Sequence, residues 1–128
     1  MSEHQRDNFF KLDDMTQGIA RTLCDGVTTR VFPGDQAMVS IVRVAPNAEG
    51  NLHHHPEEQW GMVIDGSGTR LQGDAAIPVA HGDFWRTPGG VPHTVRAGPE
   101  GLVVLDIFAP PRDAYRKPGS GFATDDGG

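Results

Sequence analysis

"NLHHHPEEQWGMVIDG", residues 51–66, sets three of the chain's six histidines beside two glutamates and a glutamine, then runs into an apolar segment that closes on Asp-Gly. On an extended segment alternate side chains face the same way. His53 and His55 therefore point together, and His54 points to the opposite side. Two imidazoles so placed lie roughly 7 Å apart along the backbone and can both reach one ion. Imidazole suits first-row transition metals such as zinc, iron, nickel or copper. A cluster of histidines on the surface would look the same in isolation, so the surrounding sequence decides.

The surroundings read as strands and turns. "GIARTL" (18–23), "VTTRVF" (27–32) and "AMVSIVRV" (37–44) are short, imperfectly alternating and rich in β-branched residues, as half-buried strands are. "CDG" (24–26), "PGD" (33–35) and "APNAEG" (45–50) separate them. The pattern continues through "QWGMVI" (59–64), a turn at "DGSG" (65–68), "TRLQ" (69–72), "GDFWRTP" (82–88), "HTVR" (93–96) and "GLVVLDIF" (101–108). Seventeen glycines and ten prolines in 128 residues favour many turns over long helices. Strands at this spacing predict an all-β sandwich or barrel, with room for a short helix only in 11–17 or 112–117.

At this length the chain is one domain. Residues 118–128, "PGSGFATDDGG", have the composition of a flexible tail. The net charge of −6 and the scattered basic residues give no footprint for nucleic acid or anionic lipid. A single cysteine, Cys24, excludes an intrachain disulfide and suits a reducing compartment. With no apolar run long enough to span a bilayer and no leader-like start, a cytoplasmic location without membrane or nucleic-acid partners is the expectation.

A second motif lies downstream. "GDFWRTPGGVPHTVRA" (82–97) delivers His93 to the start of a strand through a Pro-Gly turn. Together the two segments resemble the cupin family. Its first motif is Gly, five residues, His-x-His, three or four residues, Glu, six residues, Gly. Its second is Gly-x5-Pro-x-Gly-x2-His-x3-Asn. The first is matched by His53, His55, Gln59 and Gly66, with the opening glycine displaced to Gly50. Gly82, Pro88, Gly90 and His93 match the second, with Ala97 in place of the asparagine. The resemblance implies a double-stranded β-helix, or jelly-roll barrel, over residues 1–117, with its core at about 36–110. It also implies one divalent transition metal (zinc, nickel, iron or manganese) on His53, His55, Gln59 and His93. The family's usual glutamate ligand is Gln59 here. Motif spacing and strand parity both select Gln59 over Glu58, which should face away, and His54, Glu57 and Glu58 become bystanders. An all-neutral ligand set leaves the ion's charge uncompensated, which favours Lewis-acid chemistry on acidic substrates.

"LVVLDIFAPPRDAY" (102–115) carries one acid, Asp106, in an apolar run. A carboxylate in such a place must be paired, hydrogen-bonded or functional. Asp106 and Phe108 share a face, and if it is the interior they meet the metal. This segment, with "HHHPEEQWGMVIDG" (53–66), is similar to the KdgF type of cupin, which converts 4,5-unsaturated monouronates released by polysaccharide lyases into linear keto forms. The resemblance implies Asp106 as general acid or base, Phe108 as an apolar wall, and Arg112 as a catalytic or carboxylate-binding residue. Arg21 or Arg30 could serve as the carboxylate clamp instead. A metal-dependent dioxygenase, a small-acid lyase and a non-catalytic binding module are the alternatives. Trp60, Met62 and Ile64 face outward on their strand and offer a homodimer contact. Met38 and Met62 read as packing residues rather than ligands, and Trp60 and Trp85 as packing or dimer contacts.

Overall fold

A computed structural model describes residues 7–123. The strands are β1 (Ile19–Cys24), β2 (Val27–Pro33), β3 (Met38–Val44), β4 (Glu58–Gln72), β5 (Ala75–Ala80), β6 (Phe84–Thr87), β7 (His93–Ala109) and β8 (Gly119–Ser120). They form one sheet in the order β5-β4-β7-β3-β2-β1-β8, with β6 pairing the first half of β4 on the same edge as β5. Pairing is antiparallel throughout except for β1 with β8. The result is the expected jelly-roll barrel. Alternation along β2, β3, β4 and β7 turns Val27, Val31, Met38, Val63 and Val104 into the core, each at most 2% exposed. Among the described residues no helix is long and apolar enough to cross a membrane.

β4 and β7 are longer than the sequence suggests. The turn-like segments 65–68 and 98–101 do not end their strands. They lie opposite each other, Asp65 pairing with Val103, Gly66 with Leu102 and Gly68 with Ala97, so the two strands bend together around a barrel corner. The register also slips between Val63, paired with Val104, and Asp65, paired with Val103. Ile64 is the extra residue of this β-bulge. Since a bulge exchanges the two faces of a strand, Gln59, Gly61 and Val63 point inward before it and Arg70 points inward after it. Ile64 is thereby half-buried, while Met62 is 39% exposed rather than part of the core.

Other differences are local. β5, "AAIPVA", carries no clear strand signal, and its proline is tolerated because β5 lies at a sheet edge. Residues 112–117 form only a 3₁₀ turn, Asp113–Arg116, and 11–17 form turns. The expected tail is corrected more substantially. Gly119–Ser120 pair with β1, and Phe122 is buried at 5% exposure. The anchor is Arg21 of β1. Its guanidinium donates to the carbonyls of Gly121 (2.9 Å), Ser120 (2.8 Å) and Ala114 (3.2 Å) and lies over the Tyr115 ring. Residues 118–123 are thus a strap bound to the barrel, and 124–128 lie outside the described residues.

Gly66 is the glycine on which the corner depends. It has φ +80°, and a Cβ there would stand 2.1 Å from the carbonyl oxygen of Gly101. Gly66→Ala combines a left-handed backbone with overlap against fixed backbone, so it should lower stability by about 2–4 kcal/mol. Urea denaturation monitored by tryptophan fluorescence measures the loss, which should appear as a shifted midpoint with little change in slope.

Candidate metal centre

Residues 52–57 connect to β4 as irregular chain, tied to the barrel by a bridge between His53 and His93. Each residue's backbone N–H donates to the other's carbonyl, at 3.2 and 2.8 Å. The bridge sets the two imidazoles side by side, with ring centroids 4.5 Å apart. His55 joins them from the same side of the chain, its ring 4.9 Å from that of His93. The side-chain donor atoms of His53, His55 and His93 all lie within 4.8 Å of one another. Two departures from the motifs also find physical explanations. The position six residues before His53 is Asn47, which adopts the left-handed φ of 61°, a conformation asparagine tolerates better than most residues. Gly50 serves packing instead, since a Cβ there would meet Thr94 Oγ1 at 2.5 Å and the Phe122 ring at 3.2 Å.

The tautomers follow from the hydrogen bonds. Nδ1 of His53 faces the Asn51 carbonyl (2.7 Å), Nδ1 of His55 the Glu57 carbonyl (3.1 Å) and Nδ1 of His93 the Val91 carbonyl (2.8 Å). A carbonyl only accepts, so Nδ1 of His53 and of His93 carries the proton and their Nε2 atoms present lone pairs, whereas His55 has an acceptor at each ring nitrogen, the Glu57 carbonyl at Nδ1 and Gln59 Oε1 at Nε2. Burial, the largest influence, pushes His53 down to about 4 and His93 to about 2, and lowers His55 as well. All three rings are therefore neutral at physiological pH.

These features fit a divalent transition metal. His93 Nε2 is buried without a hydrogen-bond partner among the described residues. Gln59 Oε1 lies 2.9 Å from His55 Nε2. Both are lone-pair atoms once Nδ1 holds the proton, and a shared cation would turn their repulsion into ligation. The Gln59 amide is oriented by a hydrogen bond to Asp106, leaving Oε1 for the imidazole side. Glu58 points outward, where its carboxylate accepts from Trp60 Nε1 (2.9 Å) and Arg86 Nε (3.1 Å). Glu57 is not a bystander. Its Oε1 is 3.5 Å from His55 Nδ1 and 3.9 Å from Arg112 Nε.

Behind the histidines lies a cavity of about 30 Å³ that Gln59, Arg70, Asp106, Phe108, Arg112 and Phe122 help to line. That volume holds about two waters. Asp106 is buried, with Oδ1 unpartnered among the described residues. Burial pushes its carboxyl up to about 6, against the opposing pull of Arg70, the Gln59 hydrogen bond and Arg112. Gly61 leaves room for this group, since a Cβ there would lie 2.7 Å from both Asp106 Oδ1 and Trp85 Nε1. Phe108 stands edge-on to His55, with ring centroids 5.6 Å apart. Phe122 stacks on His53 at 4.1 Å and closes the cavity from the strap side.

The arginines differ from expectation. Arg112 lines the cavity with Nη1 buried and unpartnered among the described residues, while its Nη2 donates to the carbonyls of Phe122 (2.5 Å) and Ala123 (2.7 Å) and holds the strap. Arg21 also holds the strap, and Arg30 is absent from the cavity lining. Arg70, which the sequence did not single out, lines it instead.

Comparison with known proteins agrees with this geometry. The family model described as "Cupin domain" matches residues 40–108. Oxalate decarboxylase of Bacillus subtilis is 35% identical over 88 residues, which are 64% of this chain and 23% of that protein. The chain therefore spans about a quarter of that relative's length. One solved structure of the decarboxylase, whose description names Mn(II) centres, matches with TM-score 0.69 at 26% identity, covering 79% of this chain and 29% of that one. An RmlC-like cupin from Shewanella frigidimarina (TM-score 0.72, 20% identity, 84% and 96% covered) and KdgF from Halomonas sp. (TM-score 0.71, 22% identity, 78% and 94% covered) share the fold.

Metal content tests the centre directly. After exhaustive dialysis from a metal-replete medium the wild-type chain should retain about one equivalent of a divalent ion, and His93→Ala should retain almost none by elemental analysis. An ion present at about 100 times its dissociation constant should add about 2.7 kcal/mol of stability. Removal by a chelator should therefore lower the melting temperature of the wild type and leave that of His93→Ala unchanged.

Proposed function

Since this chain belongs to the cupin family and its barrel encloses one acid beside a histidine cluster, we propose that it is a metal-dependent enzyme that moves a proton on a small carboxylate substrate. The observation that carries the reading is Asp106, a buried acid that lines the same cavity as His53 and His93, with Oδ1 unpartnered among the described residues. His53, His55, His93 and Gln59 would hold a single zinc, nickel, iron or manganese ion. When bound, such an ion supplies Lewis acidity toward a hydroxyl or carbonyl oxygen. Asp106 acts as the general acid or base, with the Gln59 amide beside it. Phe108 walls the cavity, while Arg112 keeps Phe122 and the strap in place.

The finer reading is a KdgF-type ketonisation of 4,5-unsaturated monouronates. The Asp106, Phe108 and Arg112 spacing and the fold shared with KdgF from Halomonas sp. support it. A second reading, a lyase for a very small acid, is favoured by the cavity of about 30 Å³ and by the likeness to oxalate decarboxylase. A sugar acid needs the cavity to open far more than an acid of two carbons does. Parallel assays on unsaturated galacturonate, unsaturated guluronate and oxalate separate the two readings.

The outer face of β4, β6 and β7 exposes Trp60 (41%), Met62 (39%), Phe84 (68%) and Ile107 (37%). We infer that a second copy of the chain covers this face in a homodimer. Light scattering at micromolar protein should give twice the monomer mass, and Met62→Glu should return the monomer mass without loss of the fold.

Asp106→Asn tests the catalytic reading. The nearly isosteric change should preserve the fold and the metal and lower turnover roughly 10²–10⁴-fold. Wild-type turnover in this variant would remove Asp106 from the mechanism, and loss of the metal would make it structural.

A further inference from the structure

Arg70 is a buried cation without a carboxylate within ion-pair distance among the described residues. Such a group is held in the core at considerable cost unless something offsets its charge. Its outer edge is fixed. Nε donates to Gln72 Oε1 at 3.2 Å, Nη2 donates to Thr87 Oγ1 at 2.9 Å, and Thr87 Oγ1 itself donates to Gln72 Oε1 at 2.6 Å. The guanidinium lies over the Trp85 ring, 5.1 Å from its centroid. Every one of these partners is neutral. Burial draws Arg70 down to about 10, which leaves it protonated at physiological pH.

The charge balance of the cavity is one-sided. Among the described residues Asp106 is the one carboxylate lining it with Arg70 and Arg112, and Glu57, outside the lining, reaches Arg112 at 3.9 Å. Arg112 directs Nη2 to the strap carbonyls, and an ion on neutral ligands adds two further positive charges. An anion is the missing component.

We propose that Arg70 is the residue that recognises the substrate's carboxylate, holding it inside the cavity that Asp106, His53 and His93 also line. The pre-set guanidinium fork suits a planar carboxylate, and the pairing would neutralise a charge that the protein leaves open. This rests on the reading of the cavity as a carboxylate site. It goes further in transferring recognition from the predicted Arg112 to a residue on the far half of β4.

The test uses the full chain loaded with manganese, with oxalate and galacturonate as probes in calorimetric titrations. Wild type should bind at least one of them. Arg70→Gln, which keeps a hydrogen-bonding amide near Thr87 and Gln72, should retain the manganese and bind that probe at least about 30-fold more weakly, the lower end for truncating one partner of a buried charge pair. Arg70→Lys should fold and weaken binding about tenfold, because it keeps the charge and loses the fork. It provides the reading if the Gln variant is unstable. Affinities equal to wild type in a folded, metal-loaded variant would overturn the role of Arg70 and leave the carboxylate site intact. Absence of binding by wild type itself would instead refute the carboxylate reading, and this proposal with it. A merely structural Arg70 would show lowered melting temperature or metal content with unchanged probe affinity.

Discussion

Three backbone carbonyls decide the chemistry of this barrel. By lying against Nδ1 of His53, His55 and His93 they orient all three rings, and for His53 and His93 they fix the tautomer as well. Such outer hydrogen bonds also raise the basicity of the ligating nitrogen. Two of the three carbonyls lie two residues before their own histidine and the third lies two residues after, so each loop preorganises its own ring. The mutual His53–His93 backbone bridge then joins the loop bearing the first motif to the strand bearing the second. Backbone bonds from Gly50 to Val95 and from Gly90 to His55 reinforce the same junction.

Neutrality is the second theme. The imidazoles and the Gln59 amide contribute no negative charge, and the carboxylates near the site are kept off the donor atoms. Glu58 points outward to Arg86 and Trp60. Glu57 lies beside Nδ1 of His55 and the guanidinium of Arg112. Asp106 sits behind Gln59. A single Glu-to-Gln difference in the motif thus leaves electron demand on whatever ligand oxygen enters, and the arginines reinforce the same sign.

Much of this was legible in the sequence, for identifiable reasons. Two gapped motifs specify the barrel and bring its histidines together, and period-two alternation places Gln59 inward, Glu58 outward and Asp106 beside Phe108 on the interior face. What escaped depends on breaks in that alternation. Arg70 points inward because Ile64 is an extra residue on β4, and a bulge leaves no compositional mark. Segment 65–68 carries turn residues, yet it pairs with Val103, Leu102 and Ala97 on either side of 98–101, which only the tertiary register reveals. The strap reads as loose because its own side chains are small. It is held through its carbonyls, by arginines distant in sequence. Asn47 shows the converse case, in which a motif glycine is replaced while its backbone conformation is kept.

The stacking of Phe122 on His53 makes the C-terminal strap a thermodynamic partner of the metal centre. A ring packed on a ligand imidazole restrains that imidazole, so an ion that orders His53 also favours the docked strap. By reciprocity, a docked strap tightens the ion by the same factor. A bulky substrate that must displace Phe122 works against both. The strap therefore acts as an internal competitor, with an effective concentration set by a short tether rather than by solution. Small acids that fit beneath the ring escape this competition, and the barrel can discriminate by size with no contact dedicated to the rejected molecule.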